Sequence, residues 1–119
     1  MIIGVQGSLT FDSYQVFMRA MAVAMSDRKE GDNEILIYSA GPARVNNFVA
    51  EFSNITENSL KSRGIKIRFF KVPPSWMQQN IEKLNYFAFL SKPTENQSKI
   101  AELIDKSKTV EYGWFKFSY

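Results

Sequence analysis

The feature that most constrains this chain is an alternation of periods. Short runs of β-branched and aromatic residues, which suit strands, take turns with longer stretches whose apolar residues recur every three to four positions, which suits helices. Ile2–Gln6 ends at Gly7 and reads as a first strand. Phe11 to Ser26 reads as a helix with Val16, Ala20 and Val23 on one face, Phe17, Met21 and Ala24 beside it, and Asp12 or Ser13 as its cap. Asp27–Asn33 is a polar loop. Glu34–Ser39 holds Ile35, Leu36, Ile37 and Tyr38 in succession, a continuous apolar run that suits a strand covered on both faces. Past Gly41-Pro42, Ala43 to Ser62 reads as a second helix carrying Val45, Phe48, Val49, Phe52 and Ile55, with Gly64 placed for a left-handed cap. Ile65–Val72 is a third strand, closed by Pro73-Pro74. Ser75-Trp76-Met77-Gln78 has capping-box spacing and opens a short helix to about Lys83. Leu84–Leu90 is a fourth strand. Thr94-Glu95-Asn96-Gln97 repeats the capping box before a helix with Ile100, Leu103 and Ile104, and Thr109 to about Phe115 is a last strand.

Strict alternation of this kind implies parallel strands joined by right-handed crossovers, with helices on both faces. The expected fold is therefore α/β: a Rossmann-like three-layer sandwich around an open, mostly parallel five-stranded sheet. The 119 residues fit one domain spanning 1–119, and 45% apolar residues are enough to build its core.

Two absences narrow the chemistry. The chain has no cysteine, which excludes disulfides, thiolate metal sites and a cysteine nucleophile; it has no histidine, which excludes a Ser-His-Asp triad and a histidine-held zinc. The net charge of +3 suits a lysine-rich solvated surface or an anionic ligand, and the cations read as spread along the chain, so DNA is not a favoured partner. Met1 runs directly into Ile2-Ile3-Gly4-Val5 without a basic leader, and no apolar run approaches the ~18 residues of a membrane span, so a cytoplasmic protein is expected.

In open α/β sheets ligands bind beyond the carboxyl ends of the strands. Three loops fall there: Gly7-Ser8-Leu9-Thr10, Ser39-Ala40-Gly41-Pro42-Ala43-Arg44, and Ser91-Lys92-Pro93-Thr94-Glu95-Asn96. Each leads to a helix N-terminus, whose free amides and positive dipole end suit an anion. Gly7 and Gly41 would let backbone approach a phosphate; Ser8, Thr10, Ser39 and Thr94 offer hydroxyls; Arg44 offers a forked cationic donor. The plainer reading is three ordinary turns, in which Gly, Ser and Thr are common. Neither GxGxxG nor GxxxxGK[ST] is present. Asp12 and Glu95 stand where carboxylates cap helices as readily as they do acid–base work.

With these loops in view, the chain resembles the SLOG superfamily, and within it the small YspA-like proteins of bacteria and phages. Gly7-Ser8-Leu9-Thr10-Phe11-Asp12-Ser13-Tyr14 is similar to that group's GSRxFxDY start. Gly41-Pro42-Ala43-Arg44-Val45-Asn46-Asn47-Phe48-Val49-Ala50 is similar to its GGARGADxxA segment, and Trp76 stands where its tryptophan segment follows the third strand. The resemblance implies a Rossmann-like fold that binds nucleotides or nucleotide-derived molecules; some relatives sense them and others hydrolyse N-glycosidic bonds. Leu9 replaces an arginine of the group, Val45 a glycine and Asn47 an acid that here can only hydrogen-bond. The glutamate of the glycosidic-bond hydrolases has no counterpart.

The expectation is a non-enzymatic module that binds or senses a nucleotide-like ligand, without a cofactor or metal, through Gly7, Ser8, Thr10, Ser39, Gly41, Arg44, Asn47 and Thr94. The alternative is a phage-type accessory protein, working in the host cytoplasm, that kept the fold, lost the pocket and binds a host protein. Its surface would be basic or formed by the C-terminal aromatics Tyr112, Trp114 and Tyr119, and core packing is the competing role for that segment. A homo-oligomer fits either reading. Were the chain an enzyme, a nucleoside hydrolase or transferase would be the class.

Overall fold

The computed structural model describes residues 1–26, 28–91 and 111–116, with Ser91 and 111–116 described by backbone alone. The chain runs β1 (Ile2–Gly7), α1 (Tyr14–Ser26), β2 (Glu34–Ser39), α2 (Ala43–Lys61), β3 (Lys66–Lys71), α3 (Pro74–Asn80), a 3₁₀ turn at Ile81–Lys83, β4 (Tyr86–Ser91) and β5 (Glu111–Lys116). The protein is α/β and its sheet is all parallel. Four strands lie in the order β3-β2-β1-β4, and the backbone of β5 pairs alongside β4. The sheet thus has five strands, in the order β3-β2-β1-β4-β5. The helix expected from Thr94 lies outside the described residues.

Side-chain alternation along the strands separates two cores. Ile3 and Val5 of β1, Ile35 and Ile37 of β2, and Tyr86, Ala88 and Leu90 of β4 join one buried cluster with α1 and α2. Phe87 and Phe89 of β4 turn the other way and pack with Met77, Ile81 and Leu84 from α3 and the segment after it. Gly4 completes that second face: a Cβ there would lie 2.5 Å from Leu84 Cδ1 and 3.0 Å from Met77 Sδ.

Several element ends differ from the sequence expectation for local reasons. The first helix begins at Tyr14, not Phe11, because Ser13 caps it, its Oγ accepting the Val16 N–H at 3.2 Å. Phe11 is instead buried in the preceding loop. The buried stripe of α1 is Phe17, Ala20, Met21 and Ala24, one position round from the Val16–Ala20–Val23 face, and Val23 is exposed. Ile55 of α2 is likewise exposed at 62%. The capping box at Ser75 does not form: Pro73 is the N-cap and Pro74 the first residue of α3, with no side-chain cap. Leu84 closes the 3₁₀ turn, so β4 starts only at Tyr86. Gly64 does take the left-handed conformation, with φ of +75°.

Candidate functional site

The carboxyl ends of β1, β2 and β4 meet, and the loops after the first two strands are described. What decides their chemistry is where the backbone donors go. The Gly7 N–H donates to Gly41 O at 2.9 Å and the Ser8 N–H to Leu90 O at 2.8 Å. These two amides tie the end of β1 to its neighbours on both sides. Spent in this way, they cannot cradle a phosphate.

The first turn of α2 closes the space above Gly7. Val45 is fully buried, and a Cβ added to Gly7 would lie 2.6 Å from Val45 Cγ2 and 3.5 Å from Pro42 Cδ. Gly7 thus serves close packing of the helix on the strand end. Gly41 has a separate requirement: its φ of +84° lies in the left-handed region that glycine reaches without strain, and the Gly41-Pro42 peptide after it is cis.

Ser39 is buried, and its hydroxyl donates to Asn46 Oδ1 at 2.6 Å while accepting a long contact from the Gly41 N–H at 3.4 Å. It therefore pins the start of α2 to the end of β2. Arg44 Nη1 lies 3.7 Å from Asp12 Oδ2, linking the two loops over the top of the sheet. Both side chains are well exposed, at 60% and 40%, so the pair contributes little to stability. Asp12 is thereby an ion-pair partner and not the cap of α1. Asn47 and Thr10 are exposed, and Leu9 is 89% exposed.

The structure thus brings together Gly7, Ser8, Ser39, Gly41 and Arg44, with their bonds made to one another or to Leu90, Asn46 and Asp12 of the same chain. Thr94, Glu95 and Tyr119 lie outside the described residues. Tyr112 and Trp114 occupy β5 positions paired with Phe87 and Phe89 of β4. Among the described residues no group of three or more His, Cys, Asp or Glu could hold a metal, and no helix is long and apolar enough to cross a membrane.

Sequence reasoning passed over Asn46, whose side chain anchors Ser39, and Gln6. The Oε1 of Gln6 is buried near the carboxyl end of β1 with no hydrogen-bond partner among the described residues. A glutamine inside an apolar strand was the available signal. Compared with protein-family models, curated proteins and solved structures, the chain matches none.

Proposed function

We propose that this chain is a non-enzymatic binding module whose Rossmann-like, three-layer framework has a closed nucleotide crevice, and that it works in the cytoplasm as an accessory protein on a macromolecular partner. The observation that carries this reading is the fate of the Gly7 and Ser8 amides. Both are bonded to the chain's own carbonyls, and Val45 packs into the space beside them. A phosphate would have to break those bonds and displace a buried side chain before it gained any contact. The Leu9 and Asn47 departures from the SLOG-like pattern point the same way.

A second reading keeps the nucleotide-like ligand. It is favoured by one observation: α2 opens with Arg44 and Asn47 both exposed at its positive end. One experiment separates the two. Amide NMR spectra are recorded during titration with nucleoside mono-, di- and triphosphates, cyclic nucleotides and NAD-derived species. The closed-crevice reading expects Gly7, Ser8 and Gly41 to stay unmoved at millimolar ligand. Saturable shifts at these residues, lost in Arg44→Ala, would establish the nucleotide-binding reading instead.

A further inference from the structure

The sheet face opposite α1 and α2 carries a row of aromatic rings that ends in the open. Tyr38 of β2 stacks on Trp76 of α3 with centroids 4.4 Å apart and planes 14° from parallel. On its other side Tyr38 stacks on Phe70 of β3, at 4.9 Å and 19°. Tyr38 and Phe70 are register partners on adjacent strands, so the row follows the direction in which strands add to the sheet. β3 is the last strand on that side. Phe70 is 37% exposed and has no second ring partner among the described residues. Its outer face is where a fourth planar ring would continue the stack.

The segment that leads into and forms β3 carries charge of one sign, with Glu34 of β2 beside its start. Residues 61–71 contain Lys61, Arg63, Lys66, Arg68 and Lys71, five of the chain's fifteen cations, and no acid. The cations are thus less evenly spread than the overall composition suggests. Ile67 and Phe69 pack against the α1/α2 core, so alternation puts Lys66 and Arg68 on the Phe70 face. All five cations are exposed. Among the described residues only Arg68 has an acidic partner, Glu34 at 3.9 Å, and that pair is exposed too.

Lysines on an edge strand ordinarily guard it against pairing with another strand. That role accounts for the charge and leaves the ring row unexplained. A planar, anionic chain accounts for both. Duplex nucleic acid hides its base faces inside the stack, whereas a single strand can splay a base onto an aromatic ring.

We propose that the β2–β3 face binds single-stranded nucleic acid, one base stacking on the outer face of Phe70 while Lys66 and Arg68 contact phosphates. The proposal rests on the accessory-protein reading and names its partner.

The test is fluorescence anisotropy of the full chain with fluorescein-labelled ten-residue oligo-dT and oligo-rU. A duplex of equal length and a labelled polyglutamate peptide serve as comparisons. The single strands should bind most tightly, with a log–log salt slope of about −1.4 from about two phosphate contacts. Phe70→Ala should weaken binding about tenfold, and Phe70→Leu nearly as much, while Phe70→Tyr or Phe70→Trp should restore it. Lys66→Glu should weaken binding and flatten the slope. Absence of single-strand binding at low salt overturns the proposal. So does equal binding of duplex or polyglutamate that ignores Phe70→Leu, which would identify a general anion or acidic-protein surface. If oligonucleotides fail while the Gly7–Gly41 region stays blind to nucleotides, only this inference falls. If mononucleotides shift that region, it is the closed-crevice reading that falls.

Discussion

Among the described residues, the two faces of the sheet differ in how completely they are covered, and β1 shows both. Its odd positions, Ile3, Val5 and Gly7, meet α1 and α2; its even positions lie toward α3. At 1.5 Å per residue the 13 and 19 residues of α1 and α2 give about 20 and 28 Å of helix, against about 10 Å for the seven residues of α3. The long helices close their face around the rings of Phe11, Tyr14, Phe17, Phe48 and Phe52, neighbouring centroids lying 5.2–6.4 Å apart. The short one covers Phe87 and Phe89, reaches Tyr38 through Trp76 and stops. Lys66, Arg68 and Phe70 are left exposed. Among the described residues, helix length decides how much of each face is covered, and the β3 end of the α3 face is the part left open.

The sharpest way to break this contrast is to remove a ring from the closed face. Phe17 is fully buried and contacts Tyr14, Phe48 and Phe52. Phe17→Ala should cost about 3–5 kcal/mol in chemical denaturation, the range for truncating a core aromatic. A loss under about 1.5 kcal/mol would mean that this face is no better packed than the other.

The two glycines of β1 make the next comparison, one on each face. At Gly7 a new methyl meets Val45 Cγ2, a branched side chain whose χ1 is restricted in a helix. At Gly4 the two closest atoms are the flexible ends of Leu84 and Met77. Gly7→Ala should therefore destabilise by about 1–3 kcal/mol, and Gly4→Ala by less. Adding Val45→Ala to Gly7→Ala should recover part of the loss, with a coupling of at least about 0.5 kcal/mol between the two sites. Strict additivity would argue that α2 does not sit on Gly7 as described.

How much of this was legible in sequence follows the same division. The closed face was readable because local periodicity reports it: the first residue of α2, its Val45, Val49 and Phe52 stripe and the Gly64 cap all follow from spacing. The α1 stripe was misplaced by one position, since Val16 and Val23 are as apolar as the residues beside them and only the packed partner decides. The start of α3 was misread because Pro74 already occupies the first helical position, leaving Ser75 inside the helix. The site residues were nameable, but their donors are consumed by Gly41 O and Leu90 O, dozens of residues away in sequence. The ring row needs three elements, β2, α3 and β3, to meet, and only the topology tells that β3 is an edge.

On the open face the expected losses are smaller. Phe70→Ala removes a ring that is already 37% exposed and touches one ring neighbour, so it should cost under about 1.5 kcal/mol. Thermal or denaturant unfolding beside Phe17→Ala measures the contrast directly. A loss equal to that of Phe17→Ala would show the row to be core and remove the reason to regard its end as a surface.

The smallest effect tests a flaw in the closed face. The Tyr14 hydroxyl is buried with no hydrogen-bond partner among the described residues. Burial raises its pKa above the usual 10.0, and the Glu51 carboxylate adds to the shift. The neutral phenol is the form the fold accepts. The unfolded chain loses its proton near pH 10, while the folded chain holds it longer. The stability associated with Tyr14 is thus intact below about pH 10 and falls as pH climbs from there through the folded value. Tyr14→Phe keeps the ring contacts to Phe17 and Phe48 and discards the orphan oxygen. It should change stability at pH 7 by less than about 0.5 kcal/mol, in the stabilising direction if in either, because no hydrogen bond is lost. Between pH 10 and 11 the variant should lose less stability than the parent chain. A destabilised variant at pH 7 would mean that the hydroxyl has found a donor or acceptor, and that even this face is polar at one point.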